Sequence, residues 1–295
     1  MNSRRKLTLV AAIGLLVTQY AGNVGADVIW TFDSANCVAT IGPVGNCAGG
    51  SNNFSTGRTY QGVGTDAINV SVSGWGNTAN STAGNDTALE LGMITHYGGG
   101  LGVRNNDYLN GDSNEGGSPE HAVDNNQRYD LVLFDFGAGN SVALSDIQIG
   151  WTSGDADVNL LAYEGGIGDT PLLDGVEFHA SGEGLTANGW THVGDYDLSP
   201  VDGAINIDPD GPGGALEPVS SRYWIVAAHN SVYGDNCAND PNGCPTLNDH
   251  FKIQSVSGSI TPPPPPFTPN EVPVPMPLAL FGVGLAAFAA RRRRA

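Results

Sequence analysis

Positive charge is scarce in the body of this 295-residue chain. Seven of the twelve basic residues stand at the two ends, as Arg4, Arg5, Lys6 and Arg291 to Arg294. Only Arg58, Arg104, Arg128, Arg222 and Lys252 lie between them, against all thirty acidic residues, a balance of about −25. A surface of that sign repels nucleic-acid phosphates and anionic headgroups, which argues against nucleic acid as a partner, and it attracts divalent cations. Long apolar runs are missing too. The longest are Leu7 to Val17 and Leu278 to Ala290, both short of the roughly 20 residues a permanent membrane helix needs. No stretch keeps a helical apolar period, and no fixed-period repeat appears, which disfavours solenoids and propellers.

Catalytic signatures are also wanting. None of the six histidines falls in an H-E-x-x-H spacing. Gly116-Gly117-Ser118-Pro119-Glu120 lacks the final glycine of a nucleophile elbow. Ser118, His121 and Asp124 are too close in sequence to be expected to converge as a triad. No catalytic residue is assigned, and the chain reads as a non-enzyme. Cysteine is limited to Cys37, Cys47, Cys237 and Cys244. Neither pair has close zinc-ligand spacing or a neighbouring histidine at ligand distance in sequence.

What is present begins with an address. Arg4-Arg5-Lys6, the apolar run, and then Val24-Gly25-Ala26 form the basic, hydrophobic and small-residue parts of a signal peptide over residues 1–26, with cleavage expected after Ala26. In an exported chain, an even cysteine count suggests two disulfides. Of the three possible pairings the local one is expected, Cys37–Cys47 and Cys237–Cys244, because each closes a short Gly/Asn-rich loop. Each bridge would stabilise the fold by roughly 2–3 kcal/mol through loop closure.

Residues 27–260 read as one all-β domain. Short β-branched and aromatic runs alternate with Gly/Asn/Asp turns: Val28–Phe32, Ile68–Trp75, Leu89–Thr95, Tyr129–Phe136, Val142–Trp151, Val158–Glu164, His192–Leu198, Tyr223–Ala228 and Phe251–Ile260. Ile68, Val70 and Val72 alternate with polar neighbours, whereas Leu131 to Phe134 are apolar on both faces and predict a central strand. The expected fold is a single jelly-roll-like β-sandwich with Leu131, Leu133, Ile147, Ile149, Leu160, Ile225 and Phe251 in its core. Gly98 to Asn126 is long, polar and glycine-rich, either a binding loop or a poorly ordered one.

Two candidate calcium sites stand out. Asn206-x-Asp208-x-Asp210-Gly211 followed by Glu217 has the spacing of an EF-hand-like loop, with Gly211 allowing the turn. Pro209, Pro212 and Pro218 exclude flanking helices, so a solvated acidic turn is the alternative. Asp155 and Asp157, at a strand start, could join Asp124 or Asp130 in a site between loops; ordinary turn aspartates are the alternative. Trp75, Trp151, Trp190 and Trp224 could stack on sugar rings or fill a core.

Beyond the domain, the Pro-rich segment 261–277 holds half of the eighteen prolines and predicts an extended polyproline spacer. Pro275-Met276-Pro277 then leads into the apolar run 278–290 and the tail Arg291, Arg292, Arg293 and Arg294. Thirteen residues reach about 20 Å at 1.5 Å each. That is less than the hydrocarbon core of about 30 Å, so the run would be a weak transmembrane anchor with its arginines cytoplasmic.

Residues 272–295 resemble the PEP-CTERM sorting signal of Gram-negative bacteria, with Met276 where the usual motif has glutamate. The resemblance implies exosortase, a membrane-embedded protease-transpeptidase, as a partner. It also implies transient residence at the inner membrane before release to the cell surface or beyond. The middle of the chain resembles the exosortase-dependent surface protein group. The residues that carry this are Gly100-Leu101-Gly102-Val103, Ser118 to Asn125, Asp130 to Phe136, Gly150-Trp151, Ser221 to Ile225 and Asp249 to Lys252. That group is defined by location rather than activity. The expectation is therefore an exported cell-surface or extracellular-matrix structural or interaction protein. The alternative is a secreted glycan-binding module, calcium-dependent or not, that recognises extracellular polysaccharide, and a third reading is a secreted hydrolase.

Overall fold

The computed structural model describes residues 28–77, 87–165, 168–178, 184–197, 219–233 and 249–261, and the backbone of 204–206. All of them belong to one compact unit. Both terminal signals, the Pro-rich linker, Cys237, Cys244, Asp208, Asp210 and Glu217 lie outside the described residues, and Asn206 is described by its backbone alone.

Among the described residues there are fifteen strands: β1 Val28–Thr31, β2 Cys37–Ile41, β3 Gly57–Val63, β4 Asn69–Asn77, β5 Leu89–Leu91, β6 Met93–Tyr97, β7 Gly100–Arg104, β8 Val123–Asp124, β9 Asp130–Asp135, β10 Ser141–Thr152, β11 Asp157–Tyr163, β12 Trp190–Asp197, β13 Ala204–Asn206, β14 Tyr223–Ala228 and β15 His250–Thr261. All ladders between them are antiparallel. One sheet runs β12-β11-β14-β9-β4-β3, with β2 on its edge and β5 beside β4. The second runs β13-β10-β15-β1, with β7 and β8 also on β15 and β6 on β7. The two meet where Ile29 and Trp30 pair with Val63 and Gly62. The all-β sandwich expected from the alternating runs is what forms.

Side chains alternate across each strand, so one face of each sheet fills the space between them. Val72, Val132, Phe134, Leu160, Trp224 and Val226 from the first sheet join Trp30, Leu144, Ile147, Phe251, Ile253 and Val256 from the second in one buried cluster. The first sheet is apolar on its outer face as well. Leu131, Leu161, Tyr223, Ile225 and Ala227 point outward there. They are covered by Leu173, Val176 and Phe178 and by Leu185 of a one-turn helix, α1 Gly184–Ala187. The expected core residues divide accordingly. Ile147, Ile149, Leu160 and Phe251 lie between the sheets, Leu131 and Ile225 lie under the outer cover, and Leu133 packs half-buried against it.

The run read as one strand, Leu89–Thr95, is broken in two. β5 pairs with β4 in the first sheet, and β6 pairs with β7 in the second. Gly92 is the crossing point, and a Cβ there would lie 2.9 Å from the Arg104 carbonyl oxygen. Backbone contact that close admits only glycine. The segment Gly98–Asn126 is folded, with β7, β8 and two 3₁₀ turns at Asn106–Tyr108 and Ser113–Gly116.

Arg58 anchors the chain's first long excursion. Cys37 and Cys47 form a disulfide, and the buried guanidinium reaches just beyond it. Arg58 donates to the Ala48 carbonyl at 2.9 Å and also to the Asn53 carbonyl. His96 Nδ1 accepts from Tyr60 Oη at 2.9 Å and faces Arg58 at 3.3 Å. Burial pushes the His96 imidazole down to about 4, and the Arg58 charge acts in the same direction while Asp33 opposes it.

Two tests follow from this packing. Phe178→Ala strips the outer cover of a fully buried ring and should cost about 3–5 kcal/mol in denaturant unfolding; a loss below about 1 kcal/mol would mean the cover is dispensable. His96 binds its proton in the unfolded chain near pH 6.5 but in the folded chain only near pH 4. The unfolded state therefore holds more protons in that window, and stability should fall as pH drops through it, by at most about 3 kcal/mol from this group. Unfolding of wild type against His96→Gln between pH 7 and 4 isolates the effect. Parallel curves would exclude it.

Candidate functional site

The functional candidates gather at one end of β15, where β8 pairs with it through Asp124–His250 and Val123–Phe251. The chain reaches that end from β7 through the two 3₁₀ turns. Asn105 caps the first by accepting from the Asp107 amide at 3.0 Å. Asp112 caps the second by accepting from the Asn114 amide at 3.0 Å. Short polar side chains at these positions satisfy amides that a turn leaves without partners.

This path draws carboxylates together below the surface. Carboxylate oxygens of Asp112, Glu115 and Glu120 lie within 4.8 Å of one another. Glu115, Glu120, Asp124 and Asp130 are 2%, 8%, 1% and 0% exposed. Each has one buried oxygen with no hydrogen-bond partner: Glu115 Oε2, Glu120 Oε2, Asp124 Oδ2 and Asp130 Oδ2. Their other contacts are few. Asn105 Nδ2 donates to Asp130 Oδ1 at 3.2 Å, Asn126 Nδ2 to Glu120 Oε1 at 3.1 Å, and the Asn126 amide to Asp124 Oδ1 at 3.0 Å. The strand β4 leaves room for this. A Cβ on Gly76 would stand 2.6 Å from Asp130 Oδ1.

Burial holds all four carboxyls above their usual range. Glu115 is pushed up to about 7, mainly by burial and further by Glu120, Asp107 and Asp112, against a hydrogen bond from Asn105. Asp124 and Asp130 rise well above a normal aspartate, first by burial and then by their acidic neighbours. Cationic relief is sparse. Arg128 is engaged with Asp107 at 2.8 Å.

A second acidic trio lies alongside. Asp155 and Asp157, at the β10–β11 turn, meet Asp249 at the start of β15. Asp249 accepts from the Asp157 amide at 2.8 Å through Oδ1 and from Asn125 Nδ2 through Oδ2. Its carboxyl is pushed up to about 7, first by burial, although these donors counteract the rise. Both Asp249 oxygens are thus held by N–H donors, which ties the start of β15 to the start of β11 and to the residue after β8. The structure therefore brings Asp155 and Asp157 to Asp249, while Asp124 sits under the field of Asp130, Glu115 and Glu120.

Beside the acidic groups opens a pocket of about 240 Å³ lined by Tyr97, Gly99, Ser118, His121, Trp151 and Lys252. Lys252 Nζ sits 3.5 Å from the Trp151 ring centre and 5.0 Å from that of Tyr97. The Tyr97 and His121 rings meet edge-on at 4.6 Å. Burial lowers the Lys252 ammonium to about 8, with Asp124 opposing. His121 Nδ1 faces the Gly117 carbonyl, so Asp124 is not its orienting partner. Of the four tryptophans weighed for sugar stacking, Trp190 and Trp224 are buried and Trp75 packs against the outer cover. Trp151 alone of the four lines this pocket.

Sequence reasoning missed Lys252, Asp249 and the pair Glu115 and Glu120. For Glu115 and Glu120 a signal was the density of acidic residues within Gly98–Asn126, where Asp107, Asp112, Glu115, Glu120 and Asp124 follow one another, while Asp249 and Lys252 stood out only as part of the resemblance over Asp249 to Lys252. Compared with known proteins, the chain matches no family model, no curated protein and no solved structure.

Proposed function

We propose that this chain is an exported cell-surface or matrix interaction protein, sorted by exosortase, whose β-sandwich engages extracellular polysaccharide at the Trp151 pocket. The observation that carries the binding role is the pocket's chemistry. Aromatic faces offer C–H stacking surface to a sugar ring, and Lys252 and Ser118 add donors for hydroxyl or carboxylate oxygens. Its volume suits a single sugar unit at a chain end or branch rather than a long segment. A strongly acidic body favours solubility over packing between copies, which fits a protein that works outside the cell. The Cys37–Cys47 disulfide is compatible with an oxidising compartment.

Address and binding are tested separately. Intact mass of the mature protein should show loss of residues 1–26 and of the apolar tail in normal cells, and retention of the tail where exosortase is deleted. A full C-terminus on mature protein in normal cells would refute the sorting reading. For the binding reading, a glycan array identifies a ligand and titration of Trp151→Ala measures the pocket. The variant should bind about 10- to 100-fold more weakly at unchanged melting temperature. Equal affinity would place recognition elsewhere.

A further inference from the structure

We infer that Glu115 and Glu120, with Asp112 at the rim, form a calcium-class cation centre at the loop end of the sandwich, with the buried carboxyls of Asp124 and Asp130 adding to its negative field. The centre stands independently of what the neighbouring pocket binds.

Every candidate ligand is a hard carboxylate oxygen, with neither sulfur nor imidazole among them, the set that suits Ca²⁺ or Mg²⁺. Four carboxylates, each more than nine-tenths buried, keep one oxygen apiece without a hydrogen-bond partner. Buried polar groups are nearly always satisfied, and a buried carboxylate without a partner is expensive. Asp249 shows the contrast within the same fold, since N–H donors hold both of its oxygens.

The cations nearest this centre offset little of its charge. Arg128 pairs with Asp107, and Lys252, lying on the Trp151 ring, feels Asp124. His250 acts on Glu120, but one imidazole cannot offset four carboxylates. A divalent ion supplies two charges at one point, and Ca²⁺ accepts six to eight oxygens in flexible geometry, water among them, so carboxylates drawn from the second 3₁₀ turn and the segment after it can share it. Mg²⁺ demands a tighter octahedron, and a loosely assembled acidic set favours the larger ion.

The geometry also says what such an ion would do. Its ligands come from the cap and body of the second 3₁₀ turn and from the segment that leads into β8. Binding would therefore fasten that turn to the chain entering β8.

The test uses purified protein stripped with EDTA and desalted. Melting temperature and calorimetric titration are measured with CaCl₂ and, separately, MgCl₂. Calcium should raise the melting temperature by roughly 5 °C or more and bind with a single-site isotherm, with magnesium weaker. Glu115→Gln and Glu120→Gln preserve shape while removing charge. Each should weaken calcium at least about 10-fold, and neither should lower the melting temperature of the stripped protein, because each relieves repulsion. Using both keeps the test intact if one fails to fold. No calcium response in wild type, or an undiminished response in a folded variant, would overturn the assignment. The second outcome would place the ion in another acidic cluster.

Discussion

The first sheet has to be covered on both faces, and much of the molecule follows from that demand. β9, β14 and β11 carry apolar side chains at nearly every position, which rules out a solvent-facing side. One face is closed by the second sheet. The other is closed by a segment with almost no regular structure, 168–178 with α1, which contributes Leu173, Val176, Phe178 and Leu185. A two-layer sandwich alone would leave that face wet. The third, irregular layer is what permits a central sheet apolar on both faces.

The same arrangement explains where polar chemistry concentrates. With both faces of the first sheet spent on packing, ionisable groups are pushed to strand ends and to the turns that link them. The acidic centre and the Trp151 pocket share one such end. Asp124 lies in the field of the first, and its charge is felt by Lys252 in the second. Ser118 and His121, which line the pocket, lie in sequence between Glu115 and Asp124. The position of this wall therefore depends on how the carboxylates behind it are held.

Much of the fold was legible because period-two alternation and two-sided apolar runs are strong local signals. Val70 and Val72 turned inward as the pattern required, and Leu131 to Phe134 occupied a central strand. Strands with polar or glycine-rich composition were not legible. β3, Gly-Arg-Thr-Tyr-Gln-Gly-Val, has little apolar content and is fixed by pairing with β1, β2 and β4. The cover over the outer face was equally hidden, since Leu173, Val176 and Phe178 have no period and acquire meaning only from the surface beneath them. At the site, Asp155 and Asp157 were recognised as a close pair, but their partner Asp249 is more than ninety residues away and comes near only through β15. Glu115 and Glu120 looked like loop carboxylates because burial of a turn cannot be read from composition.

β15 carries a mechanical consequence. Its twelve residues are laddered along most of their length to β10, and its middle is laddered also to β1. Tension entering at Thr261 would run along the strand axis, loading the ladder bonds sideways so that many must fail at once. Peeling from an edge would break them one after another. A strand flanked on both sides is the stiffest place in such a fold to take a pull, and the chain leaves the described domain from that strand.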